Sequence, residues 1–192
     1  MILSVEEKAY TFRDVMGLIS KLKEHKGCKI CLILNDEVIE EDKDEFRTYF
    51  EKVVDISLQF APSAAECARI ALAANTKTEK LLAENCVALG ISNIRLIKKI
   101  ERSTRRIEPM LRKFDEQVLK QAVQSLTLFG WSLYEPSKAP SLDYLRKRTG
   151  PDPFGIDKDK PIPEREAGWN AMLDAYRFSG FDEFDSVLLD GI

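Results

Sequence analysis

Apolar residues follow two kinds of pattern along this chain, and the change from one to the other marks its main division. Val5, Ala9, Phe12, Met16, Ile19 and Leu22 recur at three- and four-residue spacing, which predicts an amphipathic helix. Ser4-x-x-Glu7 reads as its capping box, and His25–Lys26–Gly27 as its end, with cations suited to the dipole and glycine as the stop. The apolar run Lys29–Ile30–Cys31–Leu32–Ile33–Leu34 then predicts a buried strand that ends in Asn35–Asp36–Glu37. A polar triplet at the carboxyl end of a strand sits where open α/β sheets bind ligands. Acidic residues 36–45 lead into a short helix carrying Phe46, Tyr49 and Phe50. Ile56, Leu58 and Phe60 then alternate with Ser57 and Gln59, predicting a second strand over Asp55–Phe60 that Pro62 closes.

From residue 63 the period is helical. Ser63-x-x-Glu66 caps a helix over Ala64–Ala74, and Thr76-x-x-Glu79 caps one reaching about Gly90. Ser92 reads as the cap of the next helix, which Pro109 kinks or ends. Its inner face carries Leu96, Ile100, Ile107, Leu111 and Phe114. A further helix covers roughly Asp115–Tyr134, with Trp131 at a core position. Six of the eight prolines then fall between Pro136 and Pro163, which predicts a long exposed loop. Two helices close the chain, about Pro163–Ser179, with Trp169 packing inward, and Asp182–Asp190, with Asp182 as N-cap. The expected organisation is a helix–strand–helix–strand segment (1–62), a helical bundle (63–135), a proline-rich loop (136–165) and C-terminal helices packed on the bundle (166–192). The fold class is mainly α with a small β component.

With 192 residues and 44% hydrophobic content the chain can bury one core, or one core and a helical annex. The net charge of −3 conceals an uneven distribution. Residues 91–113 carry Arg95, Lys98, Lys99, Arg102, Arg105, Arg106, Arg112 and Lys113 against only Glu101 and Glu108. Cations at helical spacing are how helices meet nucleic-acid phosphates. Charge stripes are usually solvated faces, however, and no aromatic interleaves here to stack bases, so nucleic acid ranks low among the expected partners. An acidic protein surface is the other anion such a stripe would suit.

Other chemistry is sparse. Cys28-x-x-Cys31 falls on the predicted strand and His25 is the only histidine, so neither a zinc nor a redox site is expected. Reduced, structural cysteines fit a cytoplasmic protein. Glu6, Glu7 and Lys8 interrupt the N-terminus before any apolar signal segment, and no apolar run approaches the ~18 residues of a membrane span. No Ser/His/Asp or Cys/His arrangement, metal constellation or G-x-x-x-x-G-K-[ST] loop is found. Independent catalysis and a bound cofactor are therefore not expected.

The order helix, strand ending in asparagine, helix, strand, helical bundle resembles the carboxyl half of an AAA+-like P-loop ATPase, closest to the KAP-type branch. Asp14–Val15–Met16–Gly17–Leu18–Ile19, Lys29–Asp36, Tyr49–Asp55, Phe60–Ala61–Pro62 and Leu89–Ile100 carry the resemblance. It implies a fragment that begins after the Walker A and Walker B motifs: two strands left from a P-loop sheet, followed by a helical lid. By position Asn35 matches the sensor-1 residue and Arg95 the sensor-2 arginine, with Arg47 or Lys52 as arginine-finger candidates. ATP and magnesium would then belong to the parent protein, and the main partner would be its missing N-terminal half. Strands without their neighbour must pair with each other, pair with another copy in a homo-oligomer, or stay exposed.

Overall fold

The computed structural model describes residues 12–33, 51–148 and 163–190. The chain divides into two compact units, Met1–Phe60 and Ala61–Ile192. In the first, α1 (Phe12–Lys26) ends at Gly27, whose φ of +57° is the left-handed conformation that favours glycine. Met16, Ile19 and Val53 form a small core flanked by Val15, Leu32 and Val54. Lys23 Nζ donates to Asp55 Oδ1 at 2.6 Å and to the Val53 carbonyl at 3.3 Å.

Neither predicted strand forms among the described residues. Residues 29–33 and 54–60 are irregular, and Ile33, Ile56, Leu58 and Phe60 are 90, 78, 89 and 79% exposed. The alternating pattern is real, but a strand exists only against a second backbone, and no described segment supplies one. Cys28 and Cys31 are consequently exposed, whereas Cys67 and Cys86 are buried. Ser4–Glu7, Asn35–Asp36–Glu37, Arg47 and the Phe46–Phe50 stretch lie outside the described residues.

The second unit is helical: α2 (Ala64–Ala71), α3 (Lys77–Ala88), α4 (Ile94–Leu111), α5 (Glu116–Tyr134), α6 (Leu142–Lys147), α7 (Glu164–Ala175) and α8 (Glu183–Asp190). Both expected capping boxes are present, Ser63 with Glu66 and Thr76 with Glu79. Asp115 caps α5, and Asp182 Oδ1 accepts from the Asp185 N–H ahead of α8. α5 is the central helix, touching α3, α4, α6 and α8. Its Ala122, Val123, Leu128 and Phe129 are fully buried. The Phe129 ring meets Phe178 edge-on at 6.1 Å and Phe181 at 5.5 Å. With Leu173 and Tyr176 in the same core, the C-terminal helices pack on the bundle. The Tyr176 hydroxyl and the Gln124 amide each donate to the other residue's carbonyl, tying that packing to α5.

The proline-rich stretch is more ordered than its composition suggests. Ala139 and Leu145 are fully buried, and Ser141 Oγ accepts from the Tyr144 N–H to start α6. A single well-placed cap and one core leucine outweigh the prolines, which lie outside that helix. Residues 149–162 of the predicted loop are not among those described.

On α5, Gly130 lies directly against the Ile100 side chain of α4. A Cβ there would lie 2.7 Å from Ile100 Cγ1, well inside van der Waals contact. Gly130→Ala is expected to destabilise the chain by about 1–3 kcal/mol, the usual cost of overpacking. Ile100→Ala in the same chain makes room, so chemical denaturation of the double variant should show a loss smaller than the sum of the two singles.

Candidate functional site

The basic segment folds as α4, and the capping residue is Asn93 in place of Ser92. Asn93 Oδ1 accepts from the Leu96 N–H at 3.1 Å, while its Nδ2 donates to Glu135 Oε1 at 3.0 Å. The Ser92 carbonyl accepts from the Cys67 thiol at 2.9 Å, which helps fix the entry to the helix. Pro109 falls in the last turn, so its missing N–H removes one bond and the helix continues to Leu111.

The helix separates its faces sharply. Leu96, Ile97, Ile100, Glu101, Thr104 and Leu111 are buried. Arg95, Lys98, Lys99, Arg102, Arg105 and Arg106 are all exposed. At 1.5 Å per residue these cations cover a strip of about 16 Å.

Two of the six meet carboxylates. Lys98 Nζ lies 2.9 Å from Glu101 Oε2, and Arg105 Nη2 bridges Glu79 Oε1 at 2.8 Å and Glu101 Oε1 at 2.7 Å. Both glutamate side chains are only 7% exposed. Glu79 also accepts from the Asn75 N–H at 2.9 Å. That backbone bond, followed by Arg105, holds the Glu79 carboxyl below the usual carboxylate range, against burial acting the other way. Glu79 is thus both the capping-box acid of α3 and the anchor for the basic helix. This second role was not legible in the sequence, because Arg105 lies 26 residues further on.

The other four cations have no carboxylate partner among the described residues. Arg102 Nε donates to the Lys98 carbonyl. The Lys99 ammonium sits 4.1 Å from the centre of the Tyr134 ring, at the end of α5. Tyr134 is 39% exposed, so the fold sets an aromatic ring beside the cationic strip. The sequence hides this neighbour, which is 35 residues from Lys99. Arg95 stands in the first turn, where no acid offsets the positive end of the helix.

The remaining candidates are less suited to a ligand. A hollow of about 210 Å³ at the foot of α4 mixes Arg112 and Lys77 with Glu108, Asp115 and Glu116. Its two cations stand among three carboxylates, so it offers no excess of positive charge to an anion. Between α6 and α7, Arg148 donates to Asn170 at 2.6 Å and pairs with Asp174, while Tyr144 donates to Asn170 at 2.6 Å. Trp169 rests on Tyr144 and under Arg165. These bonds latch the two helices together. Lys52 is exposed in the first unit.

Among the described residues no group of His, Cys, Asp or Glu could hold a metal, and no helix is long and apolar enough to cross a membrane. No protein-family model, curated protein or solved structure matches the chain.

Proposed function

We propose that this chain is a non-enzymatic interaction domain that holds an anionic partner on the outer face of α4. The observation that carries the reading is the imbalance on that face: six cations, with carboxylates meeting only Lys98 and Arg105 among the described residues. Uncompensated cations in a row cost the fold repulsion and return little unless an anion covers them. Nucleic acid is the favoured anion. Four of the six cations are arginines, whose planar fork suits phosphate, and Tyr134 offers a ring beside them.

Binding of a labelled single strand to the full chain tests this. Four cations without a carboxylate partner among the described residues predict a slope of roughly −3 for log affinity against log salt. A flat salt response, or tighter binding of polyglutamate at equal salt, would remove nucleic acid as the partner.

A second reading is that the chain is the sensor and lid part of a P-loop ATPase, inactive alone, with ATP and magnesium held by the parent protein. It is favoured by Arg95, exposed at the start of α4 with no acid in that turn. This reading predicts at most weak ATP binding by the chain alone, so calorimetry giving a micromolar affinity that Arg95→Ala abolishes would count against it, and the salt-dependent binding of a labelled strand separates it from the first reading.

A further inference from the structure

Residues 56–60 have no backbone hydrogen bond among the described residues, and their apolar side chains are uncovered. Ile56, Leu58 and Phe60 are 78, 89 and 79% exposed. Three large apolar groups in a run of five is unusual for a solvated segment, because each leaves most of its surface in water. We propose that residues 56–60 pair antiparallel with the same residues of a second copy of this chain, about a two-fold axis through Leu58.

The pattern Ile-Ser-Leu-Gln-Phe is its own complement in that register. Ile56 stands opposite Phe60 of the second copy, Leu58 opposite Leu58, and Ser57 opposite Gln59. Apolar residues therefore share one face and polar ones the other, as a two-fold interface requires. Shifting the register by one residue would place apolar groups against polar ones and expose half of each set. The segment holds no charge to oppose a partner strand. Its ends are marked. Pro62 lacks the N–H that would extend the ladder, and Asp55 is engaged by Lys23 at 2.6 Å. The partner is a second copy because a foreign strand would have no reason to match this palindrome.

A two-stranded ladder is weak by itself, so the association is reversible, with a Kd of about 10–100 µM. Sedimentation of the full chain should show the mass rising from 21.9 kDa towards twice that value with concentration. Leu58→Lys places like charges on the axis and should weaken the dimer at least about tenfold. Ile56→Lys and Phe60→Asp should each weaken it alone, yet a mixture of the two chains should associate more tightly than either, since the new charges then face each other. All three positions are exposed, so an unchanged melting temperature shows the variants folded. A chain that stays monomeric at about 1 mM, roughly ten times the weakest Kd of that range, overturns the proposal. So does a dimer indifferent to Leu58→Lys, or a mixture that associates no better than its parts.

Discussion

Phe129→Ala should be the most damaging single truncation in the helical unit, costing about 3–5 kcal/mol. The ring is fully buried and is touched from the C-terminal side by Phe178 and Phe181, at 6.1 and 5.5 Å. Truncation removes the burial of the ring, leaves a cavity and withdraws the surface on which both partners rest. The two partners belong to the segment joining α7 to α8, so the damage should spread along the chain. For a unit of this size the loss corresponds to a fall in melting temperature of about 10–15 °C. Hydrogen exchange adds a sharper test. Amides of α8 should lose protection before those of α4, because α8 keeps only its own contacts, with Leu188 in a cluster beside Leu111, Ala122 and Leu126. Equal loss of protection in both helices would show that Phe129 supports the whole bundle evenly.

The sequence made the helices readable because their signals are local. Ser63 with Glu66 and Thr76 with Glu79 satisfy N–H groups only three residues away, so spacing alone locates both starts. Asp115 and Asp182 belong to the same class. Asn93 and Ser92 show the limit of such reading. Both can cap a helix, and the choice depends on Cys67 and Glu135, neither of which is local. The strands failed for a stronger reason. Alternation at Ile56, Leu58 and Phe60 states that one face wants cover, but a ladder depends on a second backbone that composition cannot supply. In the proline-rich stretch the prolines signal a loop by composition, while Ser141 and Leu145 organise α6 between them.

The candidate interface was half legible for a similar reason. The cations of α4 and their helical spacing can be counted directly. Their neutralisation cannot, since Glu79 comes from α3, and Tyr134, the aromatic neighbour of Lys99, comes from α5. Folding therefore divides the six cations into two that meet carboxylates, of which Arg105 ties α4 to α3, and four that have none among the described residues. That division, more than the number of charges, sets what substitutions on this face should do.

Reversing Arg102 and Arg106 together should leave the melting temperature nearly unchanged and lower nucleic-acid affinity about 100-fold at low salt, with the salt slope roughly halved. Both side chains are exposed without a carboxylate partner among the described residues, so the fold loses little. Arg105→Glu should behave in the opposite way. It places a third carboxylate against Glu79 and Glu101, whose side chains are only 7% exposed, and removes the cation that bridges them. Its main effect should be a lower melting temperature, with any loss of binding secondary. Acid separates the contributions further. The Glu79 carboxyl is held below its ordinary value of 4.5 in the fold, first by the Asn75 N–H and then by Arg105. Its stabilisation is therefore complete above that pH and fades as the pH falls through the lowered value. Glu79→Gln should lose that part of the acid transition, while the Arg102 and Arg106 double variant should keep it. If the double variant instead melts early, or if Arg105→Glu abolishes binding at full stability, the division of α4 into anchoring and available cations is wrong.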